Sequence, residues 1–152
     1  MRWLPFAAAF VVSSLLLCGC GRSGADLTAT AAAPVLRSAQ ISPTHLRFDF
    51  GGGTVTLQVV VDSARPLRAV TAELTRQDVA GATPRVQPLI PEGAGTFVAS
   101  IPVPANIEVG GATARYRLTI YAEDSEGVRS QPLHYDIQVA APDSSGLPGQ
   151  PQ

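Results

Sequence analysis

The chain has 152 residues with 11 Arg, no Lys, 12 acidic residues and a formal charge of −1, enough for one domain with appendages. Charged residues make up only 15% and nearly balance, which excludes the basic footprint of a nucleic-acid binder. Both cysteines, Cys18 and Cys20, lie in the opening segment, so a disulfide-stapled domain or a cysteine metal cluster further on is excluded as well.

Met1-Arg2 supplies a short positive start, and Trp3 to Leu17 is an apolar and small run broken only by Pro5 and Ser13-Ser14. As a helix that run covers roughly 22 Å, short of a hydrocarbon core of about 30 Å. Its length favours a cleaved signal peptide over a permanent span. It ends in Leu17-Cys18-Gly19-Cys20. This end resembles the lipobox of bacterial lipoproteins, in which Leu stands three residues before the modified Cys and a small residue immediately before it. The resemblance implies cleavage after Gly19, diacylglycerol on the Cys20 sulfur and attachment to a membrane through that lipid. Cys18 departs from the Ala, Ser or Thr commoner at the middle of the box. Gly21 stands where the family's inner-membrane retention signal would be Asp, which implies the outer membrane in a cell that has one. The organisation expected is a signal peptide over 1–19, the lipidated Cys20 and a tether over 20–40, a domain over 41–140 and a disordered tail over 141–152. Tether and tail are read from composition, being rich in Ala, Ser, Gly and Pro without apolar periodicity.

Between tether and tail, apolar residues alternate with polar ones in seven runs. His45 to Phe50 places Leu46, Phe48 and Phe50 on one face; Thr54 to Val61 places Val55, Leu57, Val59 and Val61 inward. Leu67 to Thr75 offers Val70, Ala72 and Leu74, and a weaker run covers Arg85 to Ile90. Thr96 to Val103 contributes Phe97, Ala99, Ile101 and Val103, and Ala114 to Glu123 contributes Tyr116, Leu118, Ile120 and Ala122. Pro132 to Val139 closes the series with Leu133, Tyr135, Ile137 and Val139. The breaks have turn chemistry, as at Gly51-Gly52-Gly53, Gly93-Ala94-Gly95, Gly110-Gly111 and Ser125-Glu126-Gly127. Alternation without helical periodicity predicts an all-β fold of antiparallel sheets packed face to face, with a closed barrel as the alternative.

Tyr116-x-Leu118-x-Ile120-x-Ala122-x-Asp124-x-x-Gly127 is similar to the sixth strand and following turn of immunoglobulin-like and fibronectin type III-like domains. Gly53-Thr54-Val55-Thr56 and the run Phe97 to Pro104 also resemble bacterial extracytoplasmic members. The resemblance covers residues 40 to 140 and implies a seven-stranded sandwich. It also implies that Tyr116 acts as a tyrosine corner, its hydroxyl bonding to backbone. The core Trp and inter-sheet disulfide of antibody domains are missing.

No constellation for catalysis stands out. His45 and His134 fall on the solvent-facing parity of their strands, and no Ser lies in a Gly-x-Ser-x-Gly context. Glu123, Asp124 and Glu126 are weak candidates for a calcium site, lacking the Asp-x-Asp-x-Asp-Gly spacing; an ordinary hairpin turn is the favoured reading. Arg115 and Arg117 flank Tyr116 on the outer parity and share it with Tyr121, types enriched at interface hot spots. A solvated face with Arg paired to Asp136 or His134 explains the same residues. The expectation is therefore a monomeric, non-catalytic, membrane-anchored envelope lipoprotein without cofactor, metal or nucleic acid. It would display its domain to an envelope or extracellular protein. A calcium-stiffened adhesion module and an accessory subunit of an envelope complex are the alternatives.

Overall fold

The computed structural model describes residues 32–47, 52–109 and 111–142. The lipobox residues Leu17 to Cys20, the tether as far as residue 31, Phe48, Phe50 and the tail from Asp143 lie outside the described residues. Every regular element described is a strand. In order these are β1 (Val35–Ser42), β2 (His45–Leu46), β3 (Gly53–Asp62), β4 (Leu67–Arg76) and β5 (Arg85–Pro88). There follow β6 (Ile90–Gly93), β7 (Thr96–Val103), β8 (Ala114–Asp124) and β9 (Leu133–Val139).

The strands form a four-stranded sheet, β1-β3-β7-β6, and a five-stranded sheet, β2-β9-β8-β4-β5. All pairings are antiparallel except the two-residue β2, which runs parallel to β9. The first order is that of the ABED sheet of an immunoglobulin sandwich, and β9-β8-β4 is its GFC sheet. The fold is an all-β, immunoglobulin-like sandwich.

Period-2 parity builds the core. In β3 the β-branched and aliphatic Val55, Leu57 and Val59 are wholly buried, while Thr54, Thr56, Gln58 and Val60 face out. Val70, Ala72 and Leu74 of β4, Ile101 and Val103 of β7, and Leu118, Ile120 and Ala122 of β8 meet them from both sheets. Leu57 and Leu118 lie in the two strands that carry the disulfide of antibody domains, and both are fully buried. Aliphatic packing replaces the covalent link.

Three departures from the sequence reading have local causes. The segment from Val35 to residue 40, expected as tether, is most of β1. Its inward side chains are Leu36, Ala39 and Ile41, and a bulge between Leu36 and Ser38 shifts the parity midway and hides the alternation. The weak run from Arg85 to Ile90 is two strands in different sheets, and the buried Leu89 between them marks the crossing, its amide donating to the Val70 carbonyl at 2.9 Å. The strand expected from His45 is described only to Leu46. Among the described residues nine strands therefore stand where seven runs were legible.

Two details tie the edges and ends. The hairpin between β6 and β7 turns through Ala94 and Gly95 at positive φ. A Cβ on Gly95 would sit 2.7 Å from the Val61 carbonyl oxygen, so backbone runs where a side chain would stand. On the open side of the sandwich, Tyr135 of β9 reaches across to the edge strand of the other sheet, donating its hydroxyl to the Ala39 carbonyl at 3.2 Å.

The connection between β7 and β8 is fastened by Asn106, which is 1% exposed. Its Nδ2 donates to the carbonyls of Ala112 at 2.8 Å and Val139 at 3.4 Å. Tyr116 is buried on the inner face of β8, and burial raises its phenol above the ordinary value. No hydrogen bond from its hydroxyl to that connection is found among the described residues. The hydrogen bonds described at this corner are those of the Asn106 amide.

Leu118→Ala should destabilise the domain by about 2–5 kcal/mol through lost transfer energy and a residual cavity. The exposed Thr56→Ala should stay within about 0.5 kcal/mol, both read from urea denaturation. Asn106→Ala, which strands two carbonyls, should lose about 1–3 kcal/mol. Tyr116→Phe should change stability by less than Asn106→Ala in the same assay; the reverse order would restore the tyrosine corner.

Candidate functional site

Alternation that buries Leu118, Ile120 and Ala122 puts Arg115, Arg117, Thr119, Tyr121 and Glu123 on the outer face of the five-stranded sheet. Register then selects their neighbours. Arg117 lies opposite Asp136 of β9, Thr119 opposite His134, and Arg115 opposite Gln138. On the other side, Tyr121 pairs with Thr71 and Thr119 with Glu73 of β4.

The upper half of this face is saturated with its own contacts. Tyr121 donates its hydroxyl to Glu73 Oε1 at 2.9 Å, and the Arg129 guanidinium stands 4.6 Å from the centre of its ring. Such a cation over an aromatic ring contributes about 0.5–1 kcal/mol at an exposed site. Burial first, and the Glu73 carboxylate second, push the Tyr121 phenol above its ordinary value. Arg117 reaches Asp136 at 3.3 Å, an exposed pair of the kind that adds between zero and about 1 kcal/mol. Thr119 Oγ1 and His134 Nδ1 are 3.1 Å apart.

The lower half is different. Arg115 and Arg117 line a hollow of about 330 Å³ with Gln77, Asp136, Ile137 and Gln138. His45 also belongs here, because β2 pairs with β9 and sets His45 beside Gln138 on the outer side. The structure thus brings Arg115, Arg117 and Tyr121 onto one face, as parity predicts. It adds Glu73, Arg129, Gln77, Gln138 and His45, whose membership depends on register and not on parity alone. Only the outward parity of Glu73 and of Gln138 could have signalled them.

The acidic cluster is a turn held by arginines. Asp124 is fully buried, its Oδ1 accepting the amides of Val128 at 2.8 Å and Glu126 at 3.0 Å. Arg65 bridges Asp124 at 3.2 Å and Glu126 at 3.0 Å, and Glu123 lies between Arg68 and Arg129, each at 3.0 Å. Burial works to raise the Asp124 carboxyl; the Val128 amide, Arg65 and the Glu126 amide outweigh it and hold it below the usual carboxylate value. Among the described residues no group of three His, Cys, Asp or Glu is placed to hold a metal ion.

No protein-family model matches the chain, and no curated protein sequence matches it. Solved structures similar to it include Spo0M, a sporulation control protein from Bacillus subtilis, at 15% identity and a TM-score of 0.45, over 72% of this chain and 50% of that one. The chain thus spans about half the length of Spo0M. A Niemann-Pick type C2 protein from Japanese carpenter ant is similar at 6% identity and a TM-score of 0.45, over 72% and 95%. Murine CRIg is similar at 11% identity and a TM-score of 0.39, over 72% and 98%. The immunoglobulin-like fold stands on strand order and register.

Asp124→Asn should lower the melting temperature by several degrees at pH 7. A folded pKa below the unfolded value of about 3.9 means the carboxylate stabilises the domain above that pH, and the contribution disappears as pH falls through the lower folded value. The gap between wild type and variant should therefore close below about pH 4 in a thermal melt series.

Proposed function

We propose that this chain is a lipid-anchored lipoprotein of the bacterial cell envelope, monomeric and non-catalytic. It uses the outer face of its five-stranded sheet to hold an envelope or extracellular protein. The anchor is Cys20, at the end of the Leu17-Cys18-Gly19 box, and Gly21 favours the outer membrane.

The observation that carries the reading is the contrast between the two outer faces. The four-stranded sheet turns out Thr54, Thr56, Gln58, Val60, Val98 and Ser100, with a hollow of about 460 Å³ that Gln40 and Glu92 also line and no aromatic side chain among these residues. The five-stranded sheet turns out Arg115, Arg117, His134, Asp136 and a half-buried Tyr121, a composition matched to protein contact. His45 and His134 on this side of the molecule each meet a threonine hydroxyl, at 3.2 and 3.1 Å. A calcium-stiffened adhesion module draws less support, because Glu123, Asp124 and Glu126 are all turned toward arginines. An accessory subunit of an envelope complex is a special case of the same face at work.

A photo-reactive residue at position 121, with a control at position 100 on the other sheet, tests the face in intact cells. One protein captured at 121, absent at 100 and recaptured from purified components, is the expected result. The same abundant envelope proteins at both positions would reject it. The anchor is tested separately: Cys20→Ser should release the chain from the membrane fraction, and an intact mass equal to the unmodified chain from Met1 would overturn lipidation.

A further inference from the structure

The described arginines divide by their place along the strands. Arg37, Arg65, Arg68 and Arg129, at the end where β3 leaves the sheet and the β8–β9 turn lies, are all in ion pairs. At the opposite end Arg76 holds Asp78 and Arg117 holds Asp136. Arg47, Arg85 and Arg115 have no acidic partner among the described residues, and all three lie at that opposite end.

Two of these three open onto one trough. The Arg115 hollow of about 330 Å³ adjoins a second of about 290 Å³, lined by His45, Leu46, Arg47, Thr113, Gln138 and Ala140. Gln138 is common to both. The trough therefore runs across the strands, from Arg47 past His45 and Gln138 to Arg115 and Gln77. Asp136, the acidic residue of its wall, is engaged by Arg117 at 3.3 Å. Among the described residues the trough is lined by the planar guanidinium forks of Arg47 and Arg115 and the amides of Gln77 and Gln138, donors suited to carboxylates.

We infer that this trough takes an acidic peptide segment, a deepening that rests on the protein-contact reading of the same face. From β2 to β8 is two strand spacings, about 10 Å, which matches carboxylates about three extended residues apart. An acidic saccharide is the less suited ligand, since among the described residues no phenyl, phenol or indole ring lines either hollow as a platform for a sugar ring. A peptide needs only the forks and amides.

The test uses the full-length lipidated chain in detergent micelles, with a fluorescein-labelled decaglutamate as probe and anisotropy as readout. Saturable binding is expected. Arg115→Gln should weaken it by about tenfold, the loss of one charge-assisted pair, and Arg47→Gln should weaken it as well. Arg68→Gln, at the far end of the sheet and already paired with Glu123, should leave it within about twofold. Raising salt from about 50 to about 500 mM should weaken wild-type binding. No saturable binding, or equal loss in all three variants, would overturn the assignment. Displacement of the probe by oligogalacturonate at lower concentration than by unlabelled decaglutamate would overturn the peptide class. A protein captured at position 121 without any decaglutamate binding would keep the contact face and remove the carboxylate trough. Decaglutamate binding through Arg115 with nothing captured in cells would do the opposite.

Discussion

Two sheets of an immunoglobulin-like sandwich must be held face to face, and here nothing covalent is available to do it. No cysteine lies beyond position 20, and the single tryptophan is Trp3. Most of the constraint falls on apolar packing between β3 and β7 on one side and β4, β8 and β9 on the other. Burying side chains such as Leu57 and Leu118 contributes about 1.5–3 kcal/mol each, and their dense contact leaves little tolerance for a change of volume. Parity then decides everything outside the core: once Leu118 and Ile120 face in, Arg117, Thr119 and Tyr121 have no choice but to face out.

Buried polar groups govern the two ends of the sandwich, Asn106 at one and Asp124 with Ser130 at the other. Asn106 ties the β7–β8 connection to the end of β9, and Asp124 ties the β8–β9 turn to Arg65. Among the described residues every buried side-chain nitrogen and oxygen has a hydrogen-bond partner. Removing either residue would leave donors or acceptors buried without one, so these positions are as restrictive as the apolar centre. The chemistry of the outer face depends on this frame but adds little to it, since its pairs are exposed.

The strands rich in β-branched residues were legible because a single period runs through each without interruption. Val55 to Val61, Ile101 to Val103 and Tyr116 to Ala122 are buried in the expected alternation. The same logic failed where the backbone breaks period. In β1 the bulge moves the inward set from Leu36 to Ala39, an odd step that looks like no pattern. At Leu89 one run belongs to two sheets. Candidate residues on the outer face were half legible: parity places Arg115, Arg117 and Tyr121 together, but alternation reveals faces and not neighbours. Strand order brings His45 from a distant part of the sequence to the side of Gln138, and no local rule contains that fact.

An antiparallel sandwich of this kind leaves open edges, and β1, eight residues long without proline, is the most inviting of them. Its midpoint carbonyl, on Ala39, is occupied by a hydroxyl that belongs to the opposite sheet. The Tyr135 side chain, packed against the core, acts as a bolt across a seam. On a surface where many copies are held side by side, as lipid anchoring would hold them, strand-to-strand adhesion between neighbours is a constant hazard. One phenol on β9 would then set how readily a crowded layer of these domains stays a layer of separate molecules.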